Sequence, residues 1–245
     1  MENKFLNTML MLAFSPICFA NQENITQVSL EKETIFYNGT LTHEANIETF
    51  ELYKNSTIKP KTISISSDGG DVGLGMELGN WIYDNNLNVE VKDYCLSSCA
   101  NYIFTSGKYK YISNKAIIGF HGGLSSESFD MSEIDNMLHD LPKEAREKEK
   151  EKILKEMHDY IKETKFKESN FFNKINVNKK ITTLGQSEQY KAFDSHEYSG
   201  WTYYPTDYIK LGVVNVIIEN PPWELKQLKN FGKVFIVNID DIHMK

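Results

Sequence analysis

Proline and cysteine are both scarce in this chain, with six of the first and three of the second in 245 residues. With 14 glycines and 40% hydrophobic residues, that scarcity excludes a collagen-like or disordered polymer. Basic charge is in deficit: 27 Lys and Arg against 34 Asp and Glu leave a net charge of −7. Phosphate backbones are bound by basic surfaces, so nucleic acid is not an expected partner. No apolar run approaches the roughly 20 residues that span a bilayer. There is no H-E-x-x-H spacing and no G-x-x-x-x-G-K-[ST] loop, so neither a metal nor another cofactor is expected, and any ATP-driven step would need a separate partner. Without internal repeats or low-complexity segments, a chain of this length suits one α/β domain with an insertion better than several small domains.

The first 20 residues stand apart. Lys4, an apolar run from Met9 to Phe14, Pro16 and then small Ala20 before polar Asn21 and Gln22 form the pattern of a cleaved secretory signal peptide. Cleavage after Ala20 leaves residues 21–245 as the expected mature domain, periplasmic or secreted, with no membrane span. It removes Glu2 and Lys4 together, so the charge stays at −7. It also removes Cys18, whose neighbour Ile17 is a poor match to the small residue of a lipoprotein site. Cys95 and Cys99 are then the remaining pair.

Strand and helix patterns alternate through the first half. Ile63 and Ile65 share one face of a strand, and after a turn at Asp68-Gly69-Gly70-Asp71 the residues Leu74, Leu78, Trp81 and Ile82 follow helical spacing as far as Asp84. Leu87, Val89 and Val91 alternate as a strand, an apolar stretch runs from Cys99 to Phe104, Gly107 marks a turn, and a strand from Ala116 to Phe120 leads into His121. This order argues for parallel βαβ units. From about 125 to 185 the composition changes. Lys143 to Lys167 is dense in Lys and Glu with an apolar stripe of Ile153, Met157, Tyr160 and Ile161, which reads as a long solvent-facing helix, a lid or an oligomer contact. Trp201 to Tyr204, a short helix at Pro205 to Leu211, a stop at Gly212 and strands at Val213 to Ile218 and Val234 to Val237 follow.

Two constellations fall at the C-terminal ends of successive strands, where open α/β sheets place their sites. Gly69 and Gly70 leave bare backbone N–H groups at the start of a helix, an arrangement able to hold an anion or oxyanion, although a tight turn needs glycine in any case. Gly70-x-x-Gly73-x-Gly75 is not the dinucleotide order G-x-G-x-x-G. Ser97, Ser98 and Cys99 follow the next strand, and His121 ends the one after. A serine nucleophile needs a base in hydrogen-bond reach and donors for the oxyanion, and these residues can supply both. A serine opening a helix also serves as an ordinary N-cap, and a lone histidine is commonly structural.

Taken together, Thr62 to Val72, Cys95-Leu96-Ser97-Ser98-Cys99-Ala100, Gly107 and Ile118-Gly119-Phe120-His121 resemble the Clp protease proteolytic subunit, within the ClpP/crotonase superfamily and closest to its exported relatives. Ile35 to Gly39, Ala45 to Leu52, and Leu211-Gly212-Val213-Val214-Asn215 resemble further segments of that fold. The resemblance implies an α/β fold of repeated β-β-α units in a spiral, here carrying a charged helical insertion, and a serine hydrolase acting on a peptide or protein, as a homo-oligomer. A glycine follows the family's nucleophile by nine residues, as Gly107 follows Ser98, so Ser98 is the expected nucleophile and Ser97 the second choice. His121 is the implied base, with oxyanion donors at Gly70 and Cys99. Asp68 replaces the proline usual before the glycine pair. The triad aspartate should stand about twelve residues before Gly212, where this chain has Gly200; Asp194 and Glu197 are the nearest acids.

Cys95 and Cys99 are expected to form a disulfide in an exported chain, since a strand-to-helix turn can bring two such Cα atoms within about 7 Å; buried free thiols are the alternative. The competing functions are an envelope binding or assembly protein without chemistry, for which Gly200 speaks, and an acyl-thioester enzyme, against which export speaks because coenzyme A is cytoplasmic.

Overall fold

The computed structural model describes residues 26–123, 138–139, 141–193, 197–228 and 232–239. The expected signal peptide at 1–20, with Cys18, lies outside the described residues, as does Asp194. Within them no helix is long and apolar enough to cross a membrane.

The structure is mixed α/β, built on a seven-stranded and largely parallel sheet. β1 (Gln27–Glu31) pairs antiparallel with β2 (Thr34–Asn38); β2, β3 (Thr62–Ser67), β4 (Asn88–Leu96), β5 (Lys110–Ser113) and β8 (Val216–Glu219) then pair in parallel. Helices α1 (His43–Asn55) and α2 (Val72–Asp84) cross between β2 and β3 and between β3 and β4. Because parallel strands are covered on both faces, their sequences are apolar on both: Ile63, Ser64 and Ile65 are all buried in β3. Asp71 caps α2, its side chain accepting from Leu74 N at 2.9 Å. Gly75 and Gly79 of α2 face the next helix, where a Cβ at Gly79 would stand 2.5 Å from Tyr102 O. That close crossing accounts for the glycine run after the Gly69-Gly70 turn.

β4 is long enough to pair twice. Its first half, Val89 to Val91, lies against β5, and its second half, Tyr94 to Leu96, lies against β6 (Ile117–Gly119). The stretch expected as an ordinary helix after Ser98 is a π-helix, Cys99–Phe104, buried along its whole length. The strand expected from Val213 begins at Val216, since Gly212 (φ 84°) and Asn215 (φ 59°) both take left-handed backbone. Tyr198 to Tyr203 forms β7, which pairs in parallel with β9 (Lys233–Val237) in a small second sheet.

The charged helix, α3 (Lys143–Ile175), extends beyond the expected Lys167 and divides by environment. Among its described side chains, those before Thr164 are exposed or half-exposed; from Thr164 on, Glu168, Phe171, Phe172 and Ile175 are buried. There Phe171 meets the Tyr102 ring edge-on at 5.4 Å, and the Tyr102 hydroxyl donates to Glu168 Oε1 at 2.7 Å.

Candidate active site

The register of β4 against β6 decides what meets at the sheet edge. Leu96 is level with Gly119, so the residues that follow, Ser97 and then Phe120 and His121, leave the sheet side by side. Ser97 N donates to Gly119 O at 2.8 Å, tying the two strand ends together. The chain reverses at Ser97, whose φ is 56°, and Asn101 N then donates to Ser97 O at 2.9 Å. A left-handed residue here is uncommon for a serine and costs backbone energy, which the surrounding structure must offset.

That turn separates two adjacent hydroxyls. Ser97 Oγ lies 2.7 Å from His121 Nε2. Ser98, in right-handed helical backbone and 2% exposed, points inward, and its Oγ donates to Gly70 O at 2.8 Å. The expected order of the two serines is therefore exchanged: the histidine meets Ser97, and Ser98 binds the glycine turn from beneath. Counting residues to Gly107 cannot detect this, because the deciding feature is one positive φ angle.

The glycine turn closes over the same place. Gly69 has φ 98°, and a Cβ on it would lie 2.7 Å from both Leu96 O and Ser97 Cβ, so only glycine allows the two turns this approach. Gly69 N donates to Ser67 Oγ, while Leu41 N donates to Gly69 O at 2.7 Å and holds the turn from the other side. Asp68 sits at the rim, its carboxylate accepting from Thr40 Oγ1 at 3.0 Å. Beneath, Cys95 and Cys99 are joined as a disulfide with Cα atoms 5.2 Å apart, both fully buried.

His121 has no carboxylate partner among the described residues. Glu197, one of the two expected orienting acids, is ion-paired to Lys233 on β9. Gly200, the position expected for the acid, does lie against His121: Phe120 and Trp201 exchange two backbone hydrogen bonds of 2.7 Å, bringing β7 alongside. A Cβ at Gly200 would stand 2.1 Å from Phe120 O and 3.2 Å from His121 Cβ. The position at which the resemblance implies an acid therefore lies beside the histidine but has no space for a side chain. The His121 main-chain carbonyl accepts from Gln186 Nε2 at 3.3 Å. Desolvation by the surrounding protein holds the His121 pKa below its ordinary 6.5, with its own backbone opposing, although the residue is exposed overall.

Two cavities meet at this histidine. One, of about 200 Å³, contains Ser97, His121 and Asp68 and is walled by Leu96, Ile117, Phe120 and Val234. The other, of about 520 Å³, contains His121 without Ser97 and opens among aromatic residues between the 3₁₀ turns at 184–193 and the small β7–β9 sheet. Ser199 lines both. None of these aromatic residues stood out as site residues in the sequence; Trp201 to Tyr204 is the signal that could have drawn attention to them.

Neither a family model nor a curated protein matches the chain. Among solved structures, an enoyl-CoA hydratase/isomerase from Novosphingobium aromaticivorans is similar at 10% identity and TM-score 0.31, over 40% of this chain and 48% of that one. An enoyl-CoA hydratase from Thermoplasma volcanium is similar at 8% identity and TM-score 0.29, over 37% and 49%. The ClpP protease catalytic domain from Plasmodium falciparum is similar at 16% identity and TM-score 0.28, over 34% and 52%. The match spans about half the length of each of these proteins.

Proposed function

We propose that this protein is an exported serine hydrolase, a peptidase, with Ser97 as nucleophile and His121 as general base. The observation that carries this reading is the 2.7 Å contact between Ser97 Oγ and His121 Nε2. It lies within the reach general-base catalysis requires and opens into a cavity. In the tautomer with its proton on Nδ1, His121 presents to Ser97 the Nε2 lone pair that accepts the serine proton. Ser97 Oγ then attacks the substrate carbonyl, and the backbone N–H groups of Gly70 and Ser98, on the two apposed turns, receive the developing oxyanion. Ser98 takes the donor role that the resemblance implied for Cys99, because the nucleophile has moved one residue. His121 returns its proton to the leaving amine, and water repeats the sequence on the acyl-enzyme. The smaller apolar cavity beside Ser97 suits the side chain on the acyl side of the scissile bond. A buried disulfide and the signal pattern support export, and the exposed half of α3 leaves a face for the homo-oligomer that the resemblance implies.

One observation favours the second reading, a binding or assembly protein of the envelope without chemistry: the acid position is a glycine with no room for a side chain. A fluorophosphonate probe separates the two. Labelling of folded, oxidised protein that is lost in Ser97→Ala and retained in Ser98→Ala supports the hydrolase; absence of labelling in the native protein removes it.

A further inference from the structure

In a serine hydrolase the histidine nitrogen that takes the nucleophile's proton also hands it to the leaving amine, so that amine must come within reach of Nε2, and the residue that carries it runs on past the imidazole on the side away from the acyl group. Here that side is not open surface. The cavity of about 520 Å³ that holds His121 without Ser97 is within the size range of ligand pockets. Its wall is built from Tyr190, Phe193, Tyr198, Trp201 and Phe235. These rings form one packed set: Phe193 stacks on Phe235 at 4.5 Å, Tyr198 meets Phe193 edge-on at 5.1 Å, and Tyr190 lies 5.5 Å from Phe235. Trp201 is held flat over Gly185, where a Cβ would fall 2.1 Å from the indole. Tyr190 is fixed at its far end, its hydroxyl bonded to both N and O of Asn238. The wall is therefore preorganised, and aromatic rings held this way offer contact area at little entropic cost.

We propose that this aromatic cavity is the leaving-group subsite, and that it selects a peptide whose residue following the scissile bond carries an aromatic or bulky apolar side chain. The proposal rests on the hydrolase reading for its direction along the substrate. Binding energy then comes from both sides of the scissile bond: an apolar side chain in the smaller cavity beside Ser97 and a ring in the larger one beyond His121. Ser199, lining both, marks where the peptide main chain crosses between them.

The test uses the Ser97→Ala protein, which binds without turning over, and the peptide series acetyl-Ala-Leu-Xaa-Ala-amide with Xaa as Phe, Leu, Ala or Asp. Affinity is read by isothermal titration calorimetry. The Phe peptide is expected to bind at least 10-fold tighter than the Ala peptide, with Asp weakest. Lys191→Trp, a change at an exposed rim position that fills the cavity from outside, is expected to bring Phe and Ala within twofold while leaving the thermal midpoint unchanged. Phe193→Ala provides the same readout from the half-buried wall. Equal affinity for Phe and Ala in the Ser97→Ala protein overturns the subsite. A Phe preference that persists when the native protein fails to label with fluorophosphonate upholds the cavity as a binding site and removes the catalytic reading; labelling without the preference does the reverse.

Discussion

Ser97 and Ser98 are chemically identical neighbours, and one backbone torsion gives them different surroundings. The left-handed turn at Ser97 swings its hydroxyl to His121, while Ser98 starts the π-helix with its hydroxyl on Gly70 O. Gly200 is the counterpart on the other side of the ring. Restoring the family's acid there, Gly200→Asp, is expected to destabilise the fold by about 2–3 kcal/mol, because overpacking against a backbone carbonyl cannot be relieved by a rotamer change. Thermal unfolding would show a midpoint lowered by several degrees, with activity reduced; a stable and faster enzyme would overturn the steric account. The pH profile tests the same histidine without mutation. On the proposed mechanism the neutral imidazole is the base, and desolvation lowers its pKa, so the ring would stay competent to lower pH than a free histidine. The rising limb of kcat/KM should have its midpoint below 6.5 and be flat above it. A midpoint well above 6.5 would reveal an ionised carboxylate on the ring, since a negative neighbour raises a histidine pKa.

At the scale of elements, the turn between β4 and the π-helix is held by the Cys95–Cys99 bridge, which closes a loop of five residues around both serines. A loop that short removes little entropy from the unfolded chain, about 2 kcal/mol on the chain-entropy account. Its larger effect falls on the site, because a left-handed serine needs surroundings that exclude other turns. The Cys95→Ala/Cys99→Ala double variant is therefore expected to lose about 2 kcal/mol in urea unfolding but 10-fold or more in kcat. Equal, small losses in both would make the bridge a general staple with no role in positioning. Much at this scale was legible in the chain. Ile63 and Ile65, the Gly69-Gly70 turn, the spacing of Leu74, Leu78 and Ile82, and the run into His121 are local patterns, and each became the expected element. The pairing of β7 with β9, and the bridge that presses Gly200 on His121, join residues far apart in sequence. Such contacts leave no local period to read. The π-helix was hidden for another reason: buried throughout, Cys99 to Phe104 has no polar face to reveal its periodicity.

For the whole molecule, the boundary between fold and insertion does not follow composition. The Lys/Glu-rich sequence continues to Lys167, but the environment of α3 changes at Thr164, the first position its neighbours cover. Beyond it Phe171, Phe172, Ile175, Val177, Ile181 and Leu184 join the same hydrophobic cluster as Ile63, Val89 and Tyr102. The segment read as an addition thus supplies part of the core beneath the π-helix that follows the two serines, and Glu168 is fastened to Tyr102 of that helix. Two substitutions in one helix should then behave oppositely. Ile153→Glu together with Ile161→Glu, on the half-exposed part, should leave the urea midpoint within error, since little apolar area is lost from the interior. Phe172→Ala, at a position 1% exposed, should cost about 3–5 kcal/mol by leaving a cavity. It should also preserve a single cooperative transition, because one shared core unfolds at once. If instead α3 melts separately in Phe172→Ala while the sheet persists, the helix is a docked appendage, and the site would be expected to survive its removal.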